Sequence, residues 1–163
     1  MIAGRMVVPG TDTRLLSIDQ CRPELRELHA LWQKLRSGRT MPSRADFDPA
    51  DVPALLPHLI LIDVDAAMPP ERRFRVRLHG TAQARYQGID WTGYYLYEKT
   101  DRASADRLCA VGDHIVATRE PWISTGGLYW LPSKPYHIFE SVLLPLSDDD
   151  SSVNMILGLT IFF

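Results

Sequence analysis

Cysteine is scarce in this 163-residue chain: Cys21 and Cys109 are the only two. A disulfide-stapled secreted scaffold is therefore excluded as the organising principle, and free thiols in a reducing compartment are the simpler reading. Long apolar runs are missing as well. The longest, near Leu59 to Ile62 and Ile156 to Phe163, fall far short of the roughly 20 residues that a bilayer-spanning helix needs. The opening stretch from Met1 to Gly10 has no continuous apolar segment of the secretory type. There is also no excess of one charge, with 18 Lys and Arg against 20 Asp and Glu. That balance argues against a general binder of nucleic acid or anionic membrane, so the expectation is a cytoplasmic protein with neither as partner.

Motifs of catalysis are equally sparse. The five histidines, His29, His58, His79, His114 and His137, show no i, i+4 pair, and no Cys-x-x-Cys occurs, so a metal site is not expected. GxGxxG, the P-loop and GxSxG are all absent, and Gly126-Gly127 reads as a bulge or tight turn. Cys109 and His114 would point about 140° apart on one helix, too far for a nucleophilic pair, so Cys109 reads as a structural thiol.

What is present is the composition of one globular domain, 45% hydrophobic and 23% charged. Residues 1–22 read as an N-terminal extension and 23–163 as the domain. Pro23 to Ser37 carries Leu25, Leu28, Leu31, Trp32 and Leu35 on one stripe, with Gly38 to stop the helix. Leu25, Leu28, Trp32 and Leu35 also fit a-and-d spacing over two heptads, which leaves a homodimer seam and a helix laid on its own domain both open, with the dimer preferred. Asp48-Pro49 with Asp51 predicts a short helix ending near Leu56.

Leu59 to Asp65 and Arg73 to Gly80 read as strands. In the second, strict alternation puts Phe74, Val76 and Leu78 inward and Arg73, Arg75, Arg77 and His79 outward, as a solvated or acid-paired face. Asp101 to Arg119 predicts a long helix that buries Ala105, Leu108, Val111, Gly112 and Ile115. Three further strands follow: Trp122 to Trp130, Tyr136 to Leu146 and Val153 to Phe163. The order predicts an α+β fold with a five-stranded antiparallel sheet, the first two strands at its centre, helices on one face and an N-terminal helix. Glu140, in an otherwise apolar strand, calls for a partner that one of the arginines could supply.

Two strands, helices, then a three-stranded meander resembles the PAS fold. The segments Met41-Pro42-Ser43-Arg44-Ala45-Asp46-Phe47-Asp48-Pro49, Leu55-Leu56-Pro57-His58-Leu59, Ile62-Asp63-Val64, Phe74-Arg75-Val76-Arg77-Leu78-His79-Gly80-Thr81, Gly88-Ile89-Asp90-Trp91-Thr92-Gly93 and Leu143-Leu144-Pro145-Leu146 resemble, in order, a bacterial family of mostly stand-alone PAS domains. The resemblance implies a sensory or interaction domain whose ligand is unassigned. The Asn-Cys-Arg stretch of photoreactive flavin domains is absent, and the chain ends on its last strand without an Asp-Ile-Thr-like exit, which implies output in trans.

Tyr86, Trp91, Trp122 and Tyr129 flank the concavity of such a fold and are the candidate ligand contacts, together with His114. His114 enters because haem-binding PAS domains take an axial histidine from the corresponding helix. No cofactor is expected, and haem through His114 is the alternative. Three functions compete: a module responding to a small molecule or a signalling partner, a ligand-free interaction adaptor, and a small α+β enzyme. The last has no convergent acid, base and nucleophile.

Overall fold

The computed structural model describes residue 8, residues 10–131 and residues 137–163. The predicted strand start at Tyr136 and residues 1–7 and 9 of the N-terminal extension lie outside the described residues. Six strands form one antiparallel sheet: β1 (Arg14–Leu15), β2 (Leu59–Val64), β3 (Phe74–His79), β4 (Trp122–Gly127), β5 (Ile138–Leu146) and β6 (Met155–Phe162). The spatial order is β1-β4-β5-β6-β2-β3. The α+β expectation holds with one strand more than predicted, because the two residues of β1 are too few to show a period. Only β2 of the first two strands is interior. β3 lies at an edge, where Val76 exchanges backbone hydrogen bonds with Gly93 and Tyr94 at 2.7 and 2.9 Å. That cover satisfies the edge without another strand.

Helices cover both faces of this sheet. On one lie α2 (Thr81–Gln87), α3 (Leu96–Lys99) and α4 (Arg102–Thr118). The Asp101 carboxylate starts α4 by accepting the Ser104 amide hydrogen at 3.1 Å, as an N-cap does. The other face takes α1 (Pro23–Arg36). Strand alternation presents Val142, Leu144, Leu157 and Leu159 there, all essentially buried, and the α1 stripe closes over them. The predicted short helix after Asp48 is instead a set of 3-10 turns, Pro49–Asp51 and Leu56–His58, as the repeated prolines dictate.

The α1 stripe is therefore no dimer seam. Leu25 and Leu28 are fully buried and Trp32 is 2% exposed within the single chain, while Leu35 packs against the same core. Trp32 Nε1 donates to the Pro145 carbonyl at 2.9 Å. Arg75 and Arg77 lie on the edge strand β3 and Arg73 just before it, whereas α1 rests on β5 and β6, so no arginine of that ladder lies under the helix. Glu140 is also settled differently from the prediction: its carboxylate accepts the backbone N–H of Arg22, at the N-terminus of α1, at 2.5 Å. A carboxylate is favourable at that end of a helix dipole.

A bulge in the β2–β3 pairing corrects the expected faces of β3. Leu61 pairs with Leu78 but Ile62 pairs with Val76, so Arg77 is the extra residue. Alternation shifts phase there. His79 turns inward at 7% exposure beside Phe74 and Val76, and Leu78 turns out at 36%. The three arginines are all engaged: Arg73 with the Asp113 carboxylate at 2.9 Å, Arg77 with Asp63 at 3.0 Å, and Arg75 Nε with the Gly93 carbonyl at 3.0 Å.

Candidate functional site

A cavity of about 120 Å³ lies between the sheet and α2–α4. That is close to the ~150 Å³ known to hold a benzene ring in an engineered apolar site. Its floor is made by alternate residues of the strands: Ile60 and Ile62 of β2, Ser141 and Leu143 of β5, Ile156 and Thr160 of β6. Its roof is Leu108, Val111 and Gly112 of α4. A Cβ at Gly112 would stand 2.5 Å from the Phe74 ring, so the bare glycine is what lets β3 close against α4.

Two polar regions interrupt the apolar wall. Register places Ser124, Ser141 and Thr160 side by side across β4, β5 and β6. Ser124 Oγ accepts the Trp122 indole N–H at 3.1 Å, and the Ser141 and Thr160 hydroxyls share one hydrogen bond at 3.0 Å. The second region is a relay of side chains. Gln83 donates to the His58 carbonyl, Gln87 Nε2 donates to Gln83 Oε1 at 3.4 Å, and the Trp130 indole N–H donates to Gln87 Oε1 at 3.2 Å. His79 Nδ1 accepts the Trp91 amide hydrogen at 3.2 Å, so that nitrogen carries no proton and the ring is neutral, while its Nε2 faces Gln87 Nε2 at 3.3 Å.

Burial holds His79 below the ordinary histidine value of 6.5, and it outweighs the opposing pull of Asp90, 3.9 Å away, and of the Gln83 hydrogen bond. A lowered folded-state value means that the unfolded chain binds this proton more readily. Stability is thus complete above 6.5 and declines as pH falls from there towards the lower folded-state value. The urea midpoint of the wild type is expected to fall between about pH 7.5 and about pH 5, and that of His79→Gln to fall less. A wild-type midpoint that rises on acidification would contradict the neutral ring.

Trp91 borders the cavity and is only 4% exposed. Among the described residues, its Nε1 is the one buried side-chain polar atom without a hydrogen-bond partner. Such a group costs about 1–3 kcal/mol when left unmet.

Of the five residues singled out from sequence, Trp91, Trp122 and Tyr129 meet at this cavity. Tyr86 does not join them: its ring stacks on Phe162 at 4.4 Å and its hydroxyl meets His137 Nδ1. His114 stands exposed on α4 with its ring edge-on to Trp122, centroids 5.2 Å apart, and is not part of the wall. Sequence reasoning missed His79, Gln83, Gln87, Trp130 and the hydroxyl row. The i, i+4 spacing of Gln83 and Gln87 was a signal that one helix face carries amides inward. His79 was hidden by the bulge.

Neither thiol lines the cavity. Cys21 and Cys109 are buried, and burial pushes both up to about 11, with the Glu140 and Asp113 carboxylates respectively adding to the effect. Thiols held so high stay protonated and are poor nucleophiles. No helix among the described residues is long and apolar enough to cross a membrane.

No curated protein sequence matches the chain. Among solved structures, one described as an RNA-binding Light-Oxygen-Voltage receptor aligns with a TM-score of 0.43 and 14% identity, over 74% of this chain and 35% of that one. This chain thus spans about a third of that receptor. The exclusion of nucleic acid drawn from charge balance is corrected by this finding, since a structural neighbour is itself described as binding RNA. That property belongs to the receptor, and so distant a likeness transfers none of it. The family is identified by sequence instead: the profile described as PAS domain matches residues 21–161, which takes in α1, the whole cavity wall except Thr13, and every strand but the two-residue β1. The chain belongs to the PAS domain family.

Proposed function

We propose that this PAS domain is a sensor that takes a small molecule into the cavity beneath α4 and signals in trans to a partner protein. The observation that carries the reading is the cavity itself, about 120 Å³ between the sheet and α2–α4, whose mostly apolar wall is crossed by the hydroxyl row of Ser124, Ser141 and Thr160. Ser141 and Thr160 have two hydroxyl protons and one mutual hydrogen bond, so one proton is left for a ligand acceptor. A ligand-free adaptor has no use for such a space, which side chains would fill at ordinary packing density. Catalysis is disfavoured by the protonated, buried thiols and by the lack, among the described residues, of an acid and base pair in the wall.

Strand β5 offers the route outward. Ser141 and Leu143 face the cavity, while Glu140 and Pro145 hold α1 on the opposite face through Arg22 and Trp32. A ligand that shifts β5 changes how α1 sits. Protein purified from cells and examined by native mass spectrometry should carry a bound compound below a few hundred daltons. Ser141→Ala, which removes a hydroxyl from the cavity floor, should lose that compound on dialysis while keeping the wild-type circular dichroism. Retention of the compound by Ser141→Ala at wild-type occupancy would refute a role for the hydroxyl row in uptake.

A further inference from the structure

Strand register sorts the cavity by polarity from one end to the other. His79, Ile60, Gly158, Leu143 and Trp122 stand opposite one another across β3, β2, β6, β5 and β4, in one row over the sheet. Two residues along β4, β5 and β6 from that row lie the hydroxyls of Ser124, Ser141 and Thr160. Gln83 belongs to the same end, because it donates to the carbonyl of His58, which precedes the Leu59–Leu159 pair on the Thr160 side. Two residues the other way, Ile156, Ile62 and Val76 form the next row, and Phe74 follows under Gly112 of α4. One end of the floor is thus hydroxyl and amide, and the other is hydrocarbon. The hydroxyl end has protons to give. Beside the one left over by the Ser141–Thr160 pair, Ser124 accepts the Trp122 indole N–H and keeps its own. No Asp, Glu, Lys or Arg side chain lines either end among the described residues, and the one histidine in the wall is neutral. An ion would lose its water here and meet no opposite charge.

We infer that the ligand is an uncharged compound with one polar end, which sets a hydrogen-bond acceptor at the Ser141–Thr160 pair and points a hydrocarbon body towards Ile62, Ile156 and Phe74. The inference rests on the proposed uptake of a small molecule and gives that molecule its charge and its direction. Four probes built on one six-membered ring test it on the full chain, once native mass spectrometry shows the protein free of bound compound. Cyclohexanone is uncharged with one acceptor. Methylenecyclohexane has the same shape and no acceptor oxygen. Cyclohexanecarboxylate and cyclohexylammonium carry a charge of either sign. Affinity is read by calorimetry, and the direction of cyclohexanone by nuclear Overhauser contacts to labelled isoleucine methyl groups.

Cyclohexanone is expected to bind at least a hundredfold more tightly than either ion. Removing both hydroxyls, in Ser141→Ala with Thr160→Val, should weaken cyclohexanone about tenfold and leave methylenecyclohexane within about twofold. In the wild type, the cyclohexanone protons across the ring from the oxygen should contact the Ile62 and Ile156 methyl groups more strongly than the protons beside it do. Either ion binding as tightly as cyclohexanone would overturn the uncharged class. An equal effect of the double variant on cyclohexanone and methylenecyclohexane would overturn the contact with the hydroxyl pair. Overhauser contacts of equal or reversed strength would overturn the direction, and this result does not depend on the variant folding. Methylenecyclohexane binding without cyclohexanone would overturn the polar end and leave uptake standing, whereas failure of all four probes would overturn uptake as well.

Discussion

Leu28→Asp is expected to abolish folding, not to release a folded monomer. Leu28 is fully buried between α1 and the β5–β6 face, beside Leu25 and Trp32. Truncating a buried leucine alone costs about 2–5 kcal/mol. Aspartate adds the burial of a carboxylate with no partner, against a total stability of about 5–15 kcal/mol for a domain of this kind. The outer side of α1 carries Glu24, Arg26, Glu27, Gln33 and Lys34, all exposed, so the helix has no second apolar face to place elsewhere. Far-ultraviolet circular dichroism and urea titration decide the matter. A variant that keeps the native spectrum and a cooperative transition would show that the stripe is not committed to its own sheet.

The second large effect is expected at Gly80. This residue joins β3 to α2, and its amide donates to the Leu59 carbonyl at 2.8 Å. A Cβ there would stand 2.2 Å from the Pro57 carbonyl oxygen and 2.9 Å from that of Leu59. Both obstacles are backbone, so neither can swing aside as a flexible side chain would. Gly80→Ala must separate the start of α2 from the turn before β2, at an expected cost of ~3 kcal/mol or more. The same displacement breaks the contact of Gln83 with the His58 carbonyl and opens the polar end of the cavity. Equilibrium urea unfolding measures the loss. A change under about 0.5 kcal/mol would mean that the close approach at Gly80 does not exist.

The sequence was most legible where one physical pattern acted alone. The period of α1, the span of α4 and the β5–β6 meander follow from apolar spacing and turn residues, and the structure places them within a residue or two of prediction. It was least legible where a single local event resets the pattern. The bulge at Arg77 inverts the phase of β3, so His79 faces the cavity although alternation reads it as solvated. The fate of the α1 stripe could not be read from spacing, because heptad positions suit a neighbour in the same chain as well as one in another. What decides it is the position of β3 at the sheet edge, a long-range fact of topology. The hydroxyl row has the same origin. Ser124, Ser141 and Thr160 are far apart in the chain, and only strand register makes them adjacent.

Native mass spectrometry of the freshly purified wild-type chain decides whether the cavity is occupied. A species heavier than the bare chain by the mass of one small compound, lost on denaturation and reduced in Ser141→Ala, is expected. A single unshifted mass under native conditions would contradict occupancy.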